Sequence, residues 1–206
     1  MTETVRKRRS DGERSRSAIL REAAQLATVE GITGLSIGRL AEAVGMSKSG
    51  LFAHFGSKEE LQLATVETAN AVFSEQVIEP AASEPSGFQR LRRLSDGYLR
   101  YVEAGTFAGG CFFASALAEV DMRPGPVRDV LVAFSADWFG RLEAAVRDAQ
   151  AEGAIDPGED PGQLAFEIEA ALFLANAQFV VVRTSEPIDR ARAAIERRLQ
   201  AATKTA

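Results

Sequence analysis

The chain has 206 residues, 46% of them hydrophobic, which is enough apolar material for a packed core in one large domain or two small ones. Its formal net charge of −5 excludes a protein that coats nucleic acid by bulk charge alone, and its single cysteine excludes an internal disulfide. Charge is unevenly spread: through Lys58 ten basic residues stand against six acidic ones, so the acidic excess belongs to the remainder. A basic head on an acidic body suits contact with a polyanion by one end. No apolar run follows the basic N-terminus, so no secretory signal is read there and the expected location is cytoplasmic.

Met1 to about Gly12 is polar and basic and reads as a mobile arm. A first helix is expected from about Asp11 to Glu30, with Ile19, Ala23, Leu26 and Ala27 at helical spacing and Gly31 ending it. A short helix from about Ser36 to Val44 turns Ile37, Leu40, Ala41 and Val44 inward. A third, capped by Ser47, runs to about His54. Ser57 followed by Glu60 predicts a capping box opening a fourth helix to about Ile78, with Pro80 to Ser86 as loop. Further helices are expected at about Ser86 to Glu103, Cys111 to Val120, Pro124 to Glu152, Asp160 to Thr184 and Pro187 to Ala202. Leu164 to Val182 is the longest apolar stretch. Glu167, Glu169, Asn176 and Gln178 within it favour a buried helix over a membrane span. The fold class is therefore all-α, about nine helices, with no strand hairpin and no internal repeat.

Leu35 to Lys58 reads LSIGRLAEAVGMSKSGLFAHFGSK. Two short helices are joined at Gly45-Met46, where glycine supplies the left-handed backbone of a tight turn. The second helix opens with Ser47, Lys48, Ser49 and Gly50, a small polar face that can approach a groove closely and meet a phosphate with backbone N–H groups. The order of Gly31, Ser36-Ile37-Gly38-Arg39-Leu40-Ala41, Val44-Gly45-Met46-Ser47 and Gly50-Leu51-Phe52-x-His54-Phe55-x-Ser57-Lys58-Glu59-Glu60-Leu61 resembles the TetR family of regulators. At motif level the resemblance spans roughly Arg14 to Leu61; beyond it, only length and helix order fit.

The resemblance implies an N-terminal helix-turn-helix unit, residues 1–57, on a helical effector-binding and dimerisation unit, residues 58–206. It implies a repressor released from a palindromic operator on double-stranded DNA by a small apolar effector. Ser36 and Arg39 would face phosphates or base edges. Ser47, Lys48, Ser49 and Gly50 would approach bases, and His54 and Lys58 would reach phosphates. Phe52 stands where the family usually has Tyr, so the hydroxyl-to-phosphate bond is missing; its ring fits either the groove or the core. His54 equally fits a bond within the fold, Arg39 a solvated helix position, and Arg6 to Arg9 either an arm over the groove or a solvated tail.

Leu164, Ile168, Leu172 and Phe179, with Ile195 and Leu199, form the stripes expected at a two-fold dimer interface, the alternative being packing within one subunit. Aromatic residues are dense in the middle of the chain. Tyr98, Tyr101, Phe112, Phe113, Phe134 and Trp138 are the expected lining of an effector pocket, or else an ordinary aromatic core. Cys111 fits a small apolar role better than a redox one. The chain has one His and one Cys, no metal-ligand spacing and no phosphate-binding loop, and Asp121, Asp137 and Glu143 are scattered carboxylates. An enzyme is thus a weak alternative, as is a helical dimeric interaction protein without DNA binding. No cofactor, metal or membrane partner is expected.

Overall fold

Helical periodicity carries through almost the whole chain. The computed structural model describes residues 2–120 and 124–203, and for residues 2–14 the backbone alone. The side chains of Arg6 to Arg9, and Asp121, lie outside the described residues. Among the described residues there are nine helices, counting the continuous run from Lys58 to Ala82 as one, and a single isolated bridge between Ile155 and Thr203.

Helix α1 (Thr2–Glu30) starts well before the expected Asp11, so the stretch read as an arm continues the helix. Its C-terminal half buries Ile19, Leu20, Ala23, Ala24 and Ala27. Helices α2 (Ile37–Ala43) and α3 (Lys48–Phe55) follow, capped by Ser36 and Ser47. Helix α4 (Lys58–Phe73) continues through a π turn (Ser74–Ile78) into a last turn (Glu79–Ala82). The expected stop at Ile78 is therefore displaced. In the π turn the Glu79 N–H reaches back five residues to the Ser74 carbonyl, and this widening just ahead of Pro80 makes room for a ring that breaks a regular helix. The capping box forms only in part. Ser57 Oγ accepts from the Glu60 N–H at 3.0 Å, whereas the Ser57 N–H turns to the Phe55 carbonyl at 2.7 Å.

Helices α5 (Gly87–Glu103), α6 (Phe112–Val120), α7 (Pro126–Ala151), α8 (Pro161–Val182) and α9 (Glu186–Ala202) complete the body. α5 packs on α7 and α8, α9 lies along α8 and α5, and α4 runs from α1 to α7. α5 is strongly amphipathic: Leu91, Leu94, Tyr98, Leu99 and Val102 recur at steps of three and four and are all buried.

Helix α8 is long and apolar enough to cross a membrane, and 28% of that apolar window is buried. The expectation of a wholly buried helix thus fails. One face, with Leu164, Ile168 and Leu172, is buried in the subunit. The other exposes Phe166, Phe173, Leu174, Val181 and Val182, at helical spacing. The interface expectation is corrected accordingly. Leu164, Ile168, Leu172, Ile195 and Leu199 are all within the core of one subunit, and Phe179 is half-buried against it. Both stripes of α8 are apolar, so composition alone did not tell the inner from the outer.

Candidate functional site

The α2–turn–α3 unit is built by local caps. Ser36 Oγ accepts from the Arg39 N–H at 3.2 Å, and Ser47 Oγ accepts from the Gly50 N–H at 3.1 Å. Gly45 takes a φ of 67°, a conformation that costs an L side chain energy, and lets the Met46 N–H return to the Ala41 carbonyl at 2.9 Å. Leu51 and Phe55 turn inward and are buried, and Met46 packs half-buried against the core. The opposite face of α3 is presented to solvent: Ser47, Lys48, Ser49, Phe52 and His54 are exposed and Gly50 is half-buried. Phe52 is 55% exposed, which places its ring on the outer face and not in the core. Arg16 of α1 sits over the buried Phe55 ring at 5.1 Å, bracing α3 from behind.

Two predicted DNA-facing cations are engaged within the chain. Arg39 is clamped on Glu30, with its Nε at 2.8 Å and Nη2 at 2.5 Å from the carboxylate, and Glu42 lies 3.7 Å away. The Arg39 hydrogen bond holds the Glu30 carboxyl below the usual carboxylate range. Arg39 thus ties α2 to the end of α1, correcting the expectation of a side chain turned to phosphate. Lys58, exposed at the start of α4, donates from Nζ to the Thr33 carbonyl at 2.5 Å.

The turn between α1 and α2 is also held from the body. Glu119, near the end of α6, accepts from the Ile32 N–H at 2.6 Å and the Thr33 N–H at 3.0 Å, and takes the Thr33 hydroxyl as well. Gln25 of α1 bonds the Thr106 carbonyl and the Ala108 N–H, both at 2.8 Å, and Thr28 Oγ accepts from the Gly109 N–H at 3.1 Å. None of these contacts shows in the local sequence pattern, because each joins residues some eighty positions apart.

On the other side of α6 lies a cavity of about 290 Å³. Its wall includes Tyr98, Phe113, Phe134 and Trp138, as predicted for the pocket, together with Phe73 from α4 and Glu169 and Phe173 from α8. Tyr101 and Phe112 do not line it. Tyr101 packs edge-on against Phe73 and Phe107, and Phe112 is fully buried behind Phe113. Density of rings in the sequence does not say which side of a helix each one takes. Phe73 is the ring the sequence reading missed. It makes edge-to-face contacts with Tyr98, Tyr101, Phe113, Phe134 and Trp138. Cys111 also lines the cavity; its N–H donates to Asn176 Oδ1 at 2.7 Å, and burial pushes its thiol up, away from the reactive thiolate. Burial likewise pushes the Tyr98 and Tyr101 hydroxyls well above their ordinary range.

A braced helix-turn-helix with an exposed recognition face, on a helical body with an apolar cavity, defines the class: a helix-turn-helix regulator rather than an enzyme. Residues 19–65 match the family model for bacterial regulatory proteins of the tetR family, and residues 87–195 match the tetracyclin repressor-like C-terminal domain. The chain belongs to the TetR family of transcriptional regulators.

It is 30% identical over 154 residues to the HTH-type transcriptional regulator TcmR of Streptomyces glaucescens, an alignment that covers 71% of this chain and 64% of that one. The matched region is thus a little under two thirds of that relative. Among solved structures, a TetR transcriptional regulator from Chloroflexus aurantiacus superposes with a TM-score of 0.86 at 25% identity, over 96% of this chain and all of that one. AibR, solved with isovaleryl coenzyme A and operator DNA, superposes with a TM-score of 0.70 at 27% identity, over 85% of this chain and 95% of that one.

Proposed function

We propose that the chain is a cytoplasmic, homodimeric repressor that grips a palindromic operator with two α3 helices and releases it when a small, largely apolar molecule occupies the cavity. The exposed small-residue entry of α3 carries the operator part. Lys48, Ser49 and Gly50 lead into the groove, Phe52 packs on the sugar-phosphate backbone without a phosphate hydrogen bond, and His54 and Lys58 flank it. Ser36 and Ser47 reach the backbone from the starts of α2 and α3. Residues 1–57 form the DNA-binding unit and 58–206 the effector and dimerisation unit. AibR, which binds both an acyl thioester and operator DNA, supports pairing the two activities on this fold.

Operator affinity on the protein's own upstream intergenic DNA, measured over a salt series, tests this reading. A steep fall with salt is expected. Lys58→Ala weakens binding to all sequences alike and makes the log–log salt slope shallower by about 0.9, one released counterion. Ser49→Ala changes the sequence preference and leaves the slope alone. Binding that is indifferent to salt, or absent on every duplex, refutes the repressor.

The exposed stripe on α8 supports the dimer. Phe166, Phe173, Leu174 and Val181 form a contiguous apolar face that a monomer would leave in water. A second copy covers it through a two-fold bundle of α8 and α9 pairs. Leu174→Lys, 57% exposed in the single chain, is expected to give a folded monomer in sedimentation velocity with operator binding lost. An unchanged dimer would place the interface elsewhere.

A further inference from the structure

Taking the cavity as the effector site proposed above, we infer that its ligand is an apolar organic cation, held against ring faces and neutralised by the carboxylate of Glu169. Two observations meet here. The first is the wall. Tyr98 and Trp138 lie 25° from parallel with centroids 6.0 Å apart, and Phe113 and Phe134 lie face to face at 9°. A face-to-face pair is the least favoured ring arrangement, so a guest that parts it gives up little. Ring faces carry partial negative charge and attract a cation more strongly than a neutral group of the same shape.

The second is Glu169 itself. Its Oε2 accepts from the Trp138 indole N–H at 2.6 Å, and no lysine or arginine stands among the described residues of the lining. A buried carboxylate whose only printed partner is a neutral donor lacks a compensating charge. Burial accordingly raises its pKa, only partly offset by the Trp138 hydrogen bond. A cationic guest supplies the missing charge at that oxygen pair. An anionic guest meets carboxylate and ring faces together and is repelled.

Trp138 is the chain's single tryptophan and lines the cavity, so its fluorescence reports occupation directly. Three probes share one benzyl frame: benzyltrimethylammonium, its uncharged carbon isostere neopentylbenzene, and the anion benzylsulfonate. Each is titrated into the full-length protein and into Glu169→Gln, which keeps an oxygen acceptor for Trp138. In the unaltered protein the cation is expected to saturate the response and the anion to give none. In Glu169→Gln the cation weakens about tenfold or more, while the isostere changes less than about threefold.

A cation affinity that Glu169→Gln leaves unchanged overturns the inference, as does tighter binding of the anion. Either result leaves the effector cavity standing provided the isostere binds. If the isostere and the cation both fail to bind the unaltered protein, the effector reading fails and the inference with it. The unaltered protein alone decides between cation and anion, so a variant that does not fold leaves the test intact.

Discussion

Replacing Glu119 by Ala is expected to lower the stability of the protein by about 2–4 kcal/mol. The carboxylate accepts two backbone N–H groups of the α1–α2 turn, at 2.6 and 3.0 Å, and the Thr33 hydroxyl. Charge-assisted bonds of this kind are stronger than neutral ones, and two part-buried amides are left seeking water when the acceptor goes. For a chain of this size the loss corresponds to a Tm lower by roughly 5–15 °C. Amide exchange separates this contact from general loosening: Ile32 and Thr33 are expected to exchange faster than the core of α5. Glu119→Gln keeps one carbonyl acceptor and falls between. The contact also has a functional side. Leu117 and Ala118 of the same helix line the cavity, and Glu119, next in sequence, holds the turn that sets α2 and α3. A guest that shifts α6 therefore acts on the operator-binding unit through one side chain. Operator affinity is expected to weaken in Glu119→Ala although no DNA-facing residue has changed. Unaltered melting and unaltered exchange at Ile32 and Thr33 would remove this link.

Gly109→Ala is expected to be more damaging still, costing about 3 kcal/mol or more. A methyl at Gly109 would lie 1.9 Å from the Thr28 carbonyl oxygen and 2.5 Å from its carbon. Both are backbone atoms of α1, which cannot swing aside like the end of a flexible side chain. Relief requires α1 to move away from the 105–110 turn, which breaks the Thr28–Gly109 bond and strains the Gln25 pair. Urea unfolding is expected to show a lower midpoint with a similar slope, since the change strains the folded state and not the unfolded chain. As a control, Gly105→Ala has open space around its methyl and pays only for a φ of 64°. Equal losses at the two positions would show that close approach to α1 is not what Gly109 provides.

Much of this molecule is carried by local signals. Ser36, Ser47 and Ser57 each accept the backbone N–H three residues on, because a short hydroxyl at a helix start reaches that donor whatever the rest of the chain does. Gly45 in a left-handed turn follows equally from its immediate neighbours. The small, exposed entry of α3 was legible for the same reason, since Leu51 and Phe55 at a spacing of four fix which face turns inward. What was less legible concerns which neighbour a side chain finds. Arg39 reads as a free cation on a short helix until Glu30, nine residues earlier, is seen to hold it. Leu164 and Phe166 are both large, apolar and on α8, yet one is buried and the other is 61% exposed.

The sequence by itself determined the helix-turn-helix, its caps, its exposed recognition face and the all-helical body, because each depends on interactions within a few residues. Only the tertiary structure decided the cavity wall, the Glu119 hold on the α1–α2 turn and which stripe of α8 is left for a partner. Those depend on packing among helices far apart in sequence, where one apolar stripe resembles another until the burial of the first leaves the second outside. Glu169 shows the division most plainly: in sequence it is a charge interrupting an apolar run, and in the fold it is the carboxylate among the rings of the cavity.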